Sequence, residues 1–343
     1  MGALTTDAAG TTTINAANVE LGGVTYSSTG RWTFTPGVTP LTSARVTVNM
    51  TDGSASGPVQ LFFGRLFGVN TFSPAANSTA AFVRNKICLC FDRSRSMTFD
   101  MSGTDERWPA SASGWPYGMP NAVKTNTINC LVYPPCNGSR WANLSTAANT
   151  FLNALTSATI GGVETKVALI TWGASANNGG NLNNRYYNGA TQYTQYHTYP
   201  AMYTDCTFVT PSTDPNYNTI RTAISTRNQY TMLGGTDMNA GLQAAVDLIR
   251  TTDDGLPYNK IIILFSDGEI SPGLPSATAA TDIAISNNIL VHTIGLLNSG
   301  PGFTAMQDIA NRTGGRAYLA TDAASLQAAF EEMARTLPVI LTE

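Results

Sequence analysis

Charged side chains are scarce in this chain of 343 residues. Asp, Glu, Lys and Arg together make up 12% of the sequence, about half of the roughly 25% that is usual for soluble domains. The net charge is −3 and no run of Lys or Arg occurs, so the chain lacks the basic patch of a nucleic-acid-binding protein. Thr, Asn, Ser and Gly fill the polar positions, a composition that is commoner outside the cell than in the cytosol.

Long apolar runs are also missing. The longest strongly apolar run, residues 261–265, has the length of a strand, and no stretch approaches the roughly 18 residues that span a membrane. No charged segment followed by an apolar core marks a secretory signal. Two alternatives follow: the protein is soluble, or it is held at a membrane by an anchor that lies outside the present sequence.

Histidine and cysteine are too few and too scattered for several kinds of active site. His197 in a tyrosine-rich loop and His292 on an apolar strand do not suggest a Ser-His-Asp triad or a His-rich metal centre. Cys88 and Cys90 share one face of a strand and are expected to be buried thiols. The sequence also lacks the glycine-rich phosphate-binding loops of nucleotide-binding proteins.

From about residue 83 onward, apolar segments of strand length alternate with amphipathic segments of helix length. Continuous apolar runs are typical of strands buried on both faces of a parallel sheet. The alternation predicts an α/β fold with a doubly wound, mostly parallel sheet and helices on both faces. The predicted strands are 86–91, 166–172, 260–266, 289–296 and 316–320, and the predicted helices lie around 144–155, 238–250, 303–310 and 323–333.

Residues 1–82 follow a different pattern, with short strand-like segments separated by Gly, Pro and Ser turns. This pattern predicts a small N-terminal appendage, β-rich or α+β. A compact apolar segment at 59–67 suggests one or two helical turns within it. We therefore expect two domains, residues 1–82 and residues 83–343.

Two long insertions interrupt the second domain, at 98–140 and 174–215. Both carry many aromatic side chains, which favours ordered or ligand-facing loops over disorder. Cys130 and Cys136 lie in the first insertion and could close a short disulfide or remain free. The tyrosines of the second insertion could form a recognition surface or pack an irregular loop.

Oxygen-bearing side chains follow two of the predicted strands. Asp92, Ser94 and Ser96 come directly after strand 86–91, and Asp267 comes after strand 260–266, while Thr236 precedes a helix. Because ligands bind at the carboxyl edge of such sheets, where the strand order reverses, we expect these five side chains to converge there. Carboxylates and hydroxyls suit Mg²⁺, Mn²⁺ or Ca²⁺ rather than Zn²⁺ or copper. The alternative reading of Asp-x-Ser-x-Ser is an ordinary turn and helix cap.

With these residues, the stretch 83–343 resembles the von Willebrand factor type A domain family. The resemblance rests on Asp92-x-Ser94-x-Ser96, the Gly-Gly-Thr236 turn and the strand-end Asp267-Gly pair. It implies a metal-ion-dependent adhesion site in which the three hydroxyls ligate a divalent cation, Mg²⁺ in the first place. The two carboxylates would ligate directly or through water. The resemblance further implies a protein partner that supplies an acidic side chain to the metal.

Three charged residues adjoin this predicted site. Arg95 stands where many relatives have Gly, and a basic side chain there could tune the ligand. Asp237 and Glu269 could contact the ligand too, or be solvated surface acids. The insertion 98–140 follows the first metal loop directly, so we expect it to lie near or over the site.

The whole chain, with residues 1–82, resembles the TadG-like proteins of the bacterial Tad (Flp-type) pilus system. The segments that carry the resemblance are residues 44–48, 57–63 and 66–69. It implies an extracytoplasmic role in adhesion or pilus assembly, with pilus or envelope components as partners and a membrane helix in the full-length protein.

Three hypotheses about function remain. The first is a metal-dependent binding module for adhesion or pilus-linked assembly. The second is a structural surface or filament subunit in which the metal only braces the sheet edge. The third is a metal-assisted hydrolase, for which only Asp237 or Glu269 could serve as general base. The absence of a well-marked base favours a non-enzymatic protein.

Overall fold

The computed structural model describes most of the chain in two compact units. One unit comprises Met1–Arg84, Thr159–Val163 and Thr336–Glu343, and the other comprises Asn85–Ala158 and Glu164–Arg335. The described residues are 4–6, 12–14, 16–26, 32–39, 41–50, 58–63, 68–82, 84–104, 109, 137–157, 164–173, 184–188, 191–195, 201–226, 235–252, 258–268, 276–297, 300–337 and 339–342.

The first unit is built from short strands rich in Thr and Val, residue types that favour extended backbone. Its strands are β1 (Leu4–Thr6), β2 (Thr12–Ile14), β3 (Val19–Tyr26), β4 (Trp32–Pro36), β5 (Ser43–Asn49), β6 (Val59–Gln60), β7 (Thr71–Phe72) and β8 (Ala75–Phe82). All of their pairings are antiparallel. The predicted β-rich appendage is confirmed.

The apolar segment 59–67 is described only in its first part, residues 59–63. Its first residues form β6, which pairs with β7, and the Leu61 amide donates to the Asn70 carbonyl at 2.9 Å. Residues 64–67 lie outside the described residues, so the helical turns expected in this segment stay a prediction.

The second unit contains a sheet of six strands, which are β9 (Asn85–Asp92), β10 (Lys166–Trp172), β13 (Met202–Val209), β14 (Asn259–Ser266), β15 (Ile289–Leu296) and β16 (Ala317–Ala320); a separate hairpin joins β11 (Asn184–Asn188) to β12 (Thr191–Gln195). The order in the sheet is β13-β10-β9-β14-β15-β16. Only the edge strand β13 is antiparallel to its neighbour, which confirms the predicted mostly parallel sheet. Because β13 belongs to the sheet, the second insertion ends before Met202.

Helices cover both faces of this sheet, as predicted. They are α1 (Arg140–Ser157), α2 (Asn218–Ser225), α3 (Met238–Thr251), α4 (Thr278–Ser286), α5 (Pro301–Thr313) and α6 (Ala323–Thr336). Gly314 ends α5 in the left-handed region with φ 78°, the conformation that favours glycine at helix ends. Among the described residues, none of the helices combines the length and hydrophobicity that crossing a membrane requires.

Strand β9 shows how the alternation of side chains separates the two faces. Cys88 and Cys90 are fully buried free thiols in a core shared with α3, α4 and α5. Phe91 points to the other face, where its ring centroid lies 6.1 Å from that of Phe330 in α6. Phe330 in turn lies 5.8 Å from Phe151 of α1. The prediction of two buried thiols is confirmed.

The last strand of the chain belongs to the first unit. Strand β17 (Val339–Thr342) pairs antiparallel with β8. It completes a five-stranded sheet in the order β17-β8-β5-β3-β4.

Candidate metal centre

The two predicted carboxylates stand at the carboxyl ends of adjacent strands. Asp92 ends β9, and Asp267 follows β14, which pairs with β9 in parallel register. Strand order reverses here, because β10 lies on one side of β9 and β14 on the other. Both carboxylates are buried, with exposed fractions of 0% and 4%. The Ser266 hydroxyl donates to Asp92 Oδ2 at 2.6 Å and so joins the two strand ends.

The loop after β9 directs two hydroxyls toward these carboxylates. The Ser94 amide donates to Asp92 Oδ1 at 2.7 Å, and Ser94 Oγ lies 3.0 Å from Ser96 Oγ. A short 3₁₀ turn begins after Ser94, yet the Ser94 side chain makes no capping hydrogen bond to it. The helix-cap reading of this motif therefore does not describe what the Ser94 hydroxyl contacts.

Ser96 links the two halves of the cluster. Its hydroxyl donates to Asp267 Oδ1 at 2.8 Å across 171 residues of sequence. Together with the Ser94 contact, this bond forms a continuous chain of polar contacts from Asp92 to Asp267. Ser96 is only partly buried, so it is the most accessible of the four residues in this series of contacts.

Thr236 stands next to the same cluster, just before α3. It is buried with 6% of its surface exposed. A Cβ atom at position 268 would lie 3.7 Å from Thr236 Oγ1 and 4.0 Å from Ser96 Oγ. Both hydroxyls therefore border Gly268, the residue that follows Asp267. All five predicted side chains are brought to one edge of the sheet.

Arg140, the first residue of α1, is a site residue that the sequence did not reveal. Its Nη1 donates to Asp267 Oδ2 at 2.7 Å, and the two side chains are 4% and 0% exposed. Its Nε donates to the Asp100 carbonyl at 3.1 Å. An arginine in a loop-to-helix junction carries no local signal of such a contact, since its partner is 127 residues away.

Burial dominates the electrostatics of the two carboxylates. Burial, and then the neighbouring Asp267, raise the pKa of Asp92 to about 7. Burial also raises the pKa of Asp267, and the opposing effect of Arg140 only partly offsets it. Because burial disfavours the charged form of both carboxylates, a cation between them would be stabilising.

The donor set fits a hard divalent cation. Hydroxyl and carboxylate oxygens are the ligands that Mg²⁺, Mn²⁺ and Ca²⁺ prefer. Within the ranges that the structure describes, no three Cys, His, Asp or Glu side chains are grouped as a metal would require. Metal binding at this edge would therefore depend on the three hydroxyls as much as on Asp92 and Asp267.

The structure describes the three charged residues next to the site, Arg95, Asp237 and Glu269, to different extents. Asp237 caps α3, because its Oδ1 accepts from the Ala240 amide at 3.1 Å. The backbone of Arg95 lies in the 3₁₀ turn, while its side chain and all of Glu269 lie outside the described residues. Their role in ligand binding stays a prediction.

The described ends of the first insertion lie beside the candidate centre. Asp100 forms a β-bridge with Ser139, and the Arg140 amide donates to the Phe99 carbonyl at 2.8 Å. The chain thus leaves the site after the 3₁₀ turn and returns to it at α1. Cys130 and Cys136, and with them the disulfide question, lie outside the described residues.

The second insertion has its base at the same edge. It leaves after Trp172, which is in register with Asp92. It returns where the Gly173 amide donates to the Ala201 carbonyl at 2.8 Å. Both insertions therefore begin and end at the carboxyl edge that carries the candidate centre.

Comparison with known structures gives distant likenesses. The first is a von Willebrand factor type A protein from Catenulispora acidiphila (TM-score 0.44, 15% identity, 85% of this chain and 45% of that chain). A mutant of the PilB minor pilin from Streptococcus sanguinis has a TM-score of 0.47 and 14% identity, over 94% of this chain and 88% of that chain. The vWF domain of the type V pili tip protein Mfa5 from Porphyromonas gingivalis has a TM-score of 0.44 and 13% identity, over 75% and 95%. The chain thus spans under half the length of the Catenulispora protein.

Comparison with protein families is more informative. No curated protein matches the chain. Residues 3–80 match the family described as putative Tad-like Flp pilus-assembly. Residues 136–332, more than half of the chain, match the von Willebrand factor type A domain. This match includes Thr236 and Asp267, whereas Asp92, Ser94 and Ser96 precede it. Those three residues lie at the same sheet edge as the two that the match includes. The chain belongs to the von Willebrand factor type A domain family.

Proposed function

We propose that this protein is a metal-dependent protein-binding or adhesion module. The observation that carries the proposal is the polar chain Asp92–Ser94–Ser96–Asp267, with Thr236 beside it, at the switch point of the sheet. Hydroxyls contribute no negative charge, and few carboxylates surround them. A cation held there would keep most of its charge and could accept an acidic side chain of a protein partner.

Mg²⁺ is the cation that we propose, with Mn²⁺ or Ca²⁺ as chemically similar substitutes. Ser94, Ser96 and Thr236 would hold it through their hydroxyls, and Asp92 and Asp267 directly or through water. When bound, the ion supplies an electrophilic position for a carboxylate. The two insertions, whose bases lie at this edge, would decide which partner reaches it; Arg95, Asp237 and Glu269 are candidate contacts.

The proposed setting is extracytoplasmic, in a bacterial Tad (Flp) pilus or surface-adhesion system. The Tad-like match of residues 3–80 supports this setting, as does the low share of charged residues. Pilus or envelope components are the proposed partners. We further propose that the first compact unit acts as the pilus-related part and the second as the binding part.

The proposal is tested by metal binding and by its effect on attachment. The intact chain is titrated with Mn²⁺, observed by electron paramagnetic resonance, and its retention on piliated cells is measured with and without a chelator. Asp92→Ala should weaken Mn²⁺ binding by at least about tenfold and remove retention, because Asp92 would hold the ion directly or through water. The matched control Asp308→Ala changes an acid on α5 that pairs with Arg312, away from the candidate centre. Retention on piliated cells that persists in the presence of the chelator would contradict the proposal.

A second candidate function is a structural subunit in which the metal is only a brace. It is favoured by the burial of Asp92, Ser94 and Asp267, which are at most 4% exposed. In that case bound metal should raise the melting temperature of the protein. A bound Mn²⁺ ion would then have no coordinated water that exchanges with the solvent. Water-proton relaxation separates the two, since a binding module needs an open position that exchanges water.

A further inference from the structure

We infer that Arg140 is a positioning residue that sets the charge of the candidate metal centre. It holds and partly neutralises Asp267, so that a bound cation keeps more of its own charge for an acidic ligand. This inference rests on the proposed metal site. It concerns a side chain outside the five predicted ligands.

Arg140 is fixed by contacts on several sides. Its Nη1 contacts Asp267 Oδ2 at 2.7 Å and its Nε contacts the Asp100 carbonyl at 3.1 Å. The backbone amide of Arg140 contacts the Phe99 carbonyl, and its guanidinium carbon lies 5.4 Å from the centre of the Phe99 ring. A side chain that is so held and only 4% exposed has little freedom to leave Asp267.

The two carboxylates of the site therefore differ in how far a neighbouring positive side chain compensates their charge. Asp267 uses Oδ2 for the guanidinium of Arg140 and Oδ1 for the Ser96 hydroxyl. Among the described residues, the donors to the Asp92 carboxylate are neutral, namely the Ser94 amide and the Ser266 hydroxyl. Within the part of the chain that the structure describes, Asp267 therefore has an ion pair and Asp92 has none.

This difference has opposite effects on two kinds of binding. A guanidinium repels a divalent cation on the far side of the carboxylate, and solvent screens buried charges weakly. Arg140 therefore weakens metal binding. The same positive charge strengthens the attraction of the metal for an incoming carboxylate. A residue that merely supported the fold would not change the two affinities in opposite directions.

The test compares Mn²⁺ binding by the intact chain, Arg140→Gln and Arg140→Lys. Arg140→Gln should bind Mn²⁺ at least about tenfold more tightly, because it removes one buried positive charge. With Mn²⁺ saturating, it should bind acetate, a mimic of an acidic side chain, at least about threefold more weakly. Arg140→Lys keeps the positive charge, so its affinities for Mn²⁺ and for acetate should be close to those of the natural chain. Arg312→Gln, on α5 with its partners Asp282 and Asp308, is the matched control and should change neither.

A second pair of variants covers the case in which Arg140→Gln does not fold. Removing one member of a buried ion pair is costly, whereas removing both is often tolerated. The double variant Arg140→Gln with Asp267→Asn should bind Mn²⁺ at least about tenfold more tightly than Asp267→Asn alone, since the single variant leaves the guanidinium uncompensated.

The outcomes separate the inference from the proposed function. If the natural chain binds Mn²⁺ and neither comparison shows tighter binding without Arg140, the inference is overturned and the proposed function stands. If only variants without the guanidinium bind Mn²⁺, the inference is supported and metal-dependent binding by the natural chain is not. Failure of every protein to bind Mn²⁺ overturns both.

Discussion

At the scale of single residues, His292 shows how burial fixes a charge state. It lies on β15 with 8% of its surface exposed, and its Nδ1 accepts a hydrogen bond from the Arg316 amide at 3.1 Å. An accepting Nδ1 requires the neutral ring. Burial, and then the charge of Arg316, lower the pKa of His292 from 6.5 to about 4. The histidine is therefore a core residue.

A pH dependence of stability follows from this lowered pKa. In the unfolded chain His292 takes up a proton near pH 6.5, whereas in the folded chain it does so only near pH 4. Its contribution is thus fully present above pH 6.5 and is lost as the pH falls toward 4, by about 3 kcal/mol in total. Urea unfolding of the natural chain and of His292→Gln at pH 7.5, 5.5 and 4.5 measures this contribution to the free energy of unfolding.

The comparison at each pH removes the contributions of all other groups. The free energy of unfolding of the natural chain should fall relative to His292→Gln as the medium is acidified. Equal pH dependence in the two proteins would contradict the assignment of His292 as a buried neutral base.

At the scale of elements, the packing of α3 on the sheet depends on one glycine. A Cβ atom at Gly241 would lie 2.3 Å from the ring of Trp172, which is closer than atoms can approach. Trp172 is fully buried and ends β10 in register with Asp92. Gly241 therefore lets α3, the helix that follows Thr236, approach the strand end beside the candidate metal centre.

Gly241→Ala should destabilise the protein by about 1–3 kcal/mol, the usual cost of overpacking a core. Helix propensity alone predicts the opposite, a gain of about 1 kcal/mol. Thermal or urea unfolding gives the sign directly. The reverse exchange Ala240→Gly, one residue earlier and only half-buried, should cost about 1 kcal/mol through propensity and serves as control. A stabilised Gly241→Ala would show that Trp172 moves aside freely.

At the scale of the whole molecule, the first compact unit is assembled from distant parts of the chain. Strand β17 pairs with β8 through Val339↔Phe82 to Thr342↔Thr79. Strand β8 pairs with β5 on its other side, so β17 covers an edge that would otherwise present unpaired backbone groups. More than 250 residues separate the paired strands along the chain.

Deleting residues 338–343 should expose that edge of β8. Amide hydrogen exchange should become at least about tenfold faster at the β8 amides that face β17, because their partners are gone. Amides of β9, which pair with β10 and β14, provide the internal reference. Deleting Glu343 alone is the control variant. Unchanged protection of β8 would mean that β17 adds nothing to the sheet.

Much of this fold was predictable because it depends on local pattern. The apolar runs that became β9, β10, β14 and β15 were located within a residue or two, and the main helices followed from their amphipathic spacing. The convergence of Asp92 and Asp267 was also predictable, since the carboxyl ends of parallel strands meet at one edge. Helix α4 was missed because its short, alanine-rich sequence has weak periodicity. Strand β13 was missed because it lies within a predicted insertion.

The amino-acid sequence by itself therefore determined the α/β fold, the β-rich first unit and the five oxygen donors at the sheet edge. Only the tertiary structure decided which donors contact one another and which charges they face. Arg140 reaches Asp267 across 127 residues, and Ser266 reaches Asp92 across 174. Local periodicity reports which face of an element is apolar, but it contains no information on which distant polar group will be buried beside another. Those long-range contacts set the charge of the candidate metal centre.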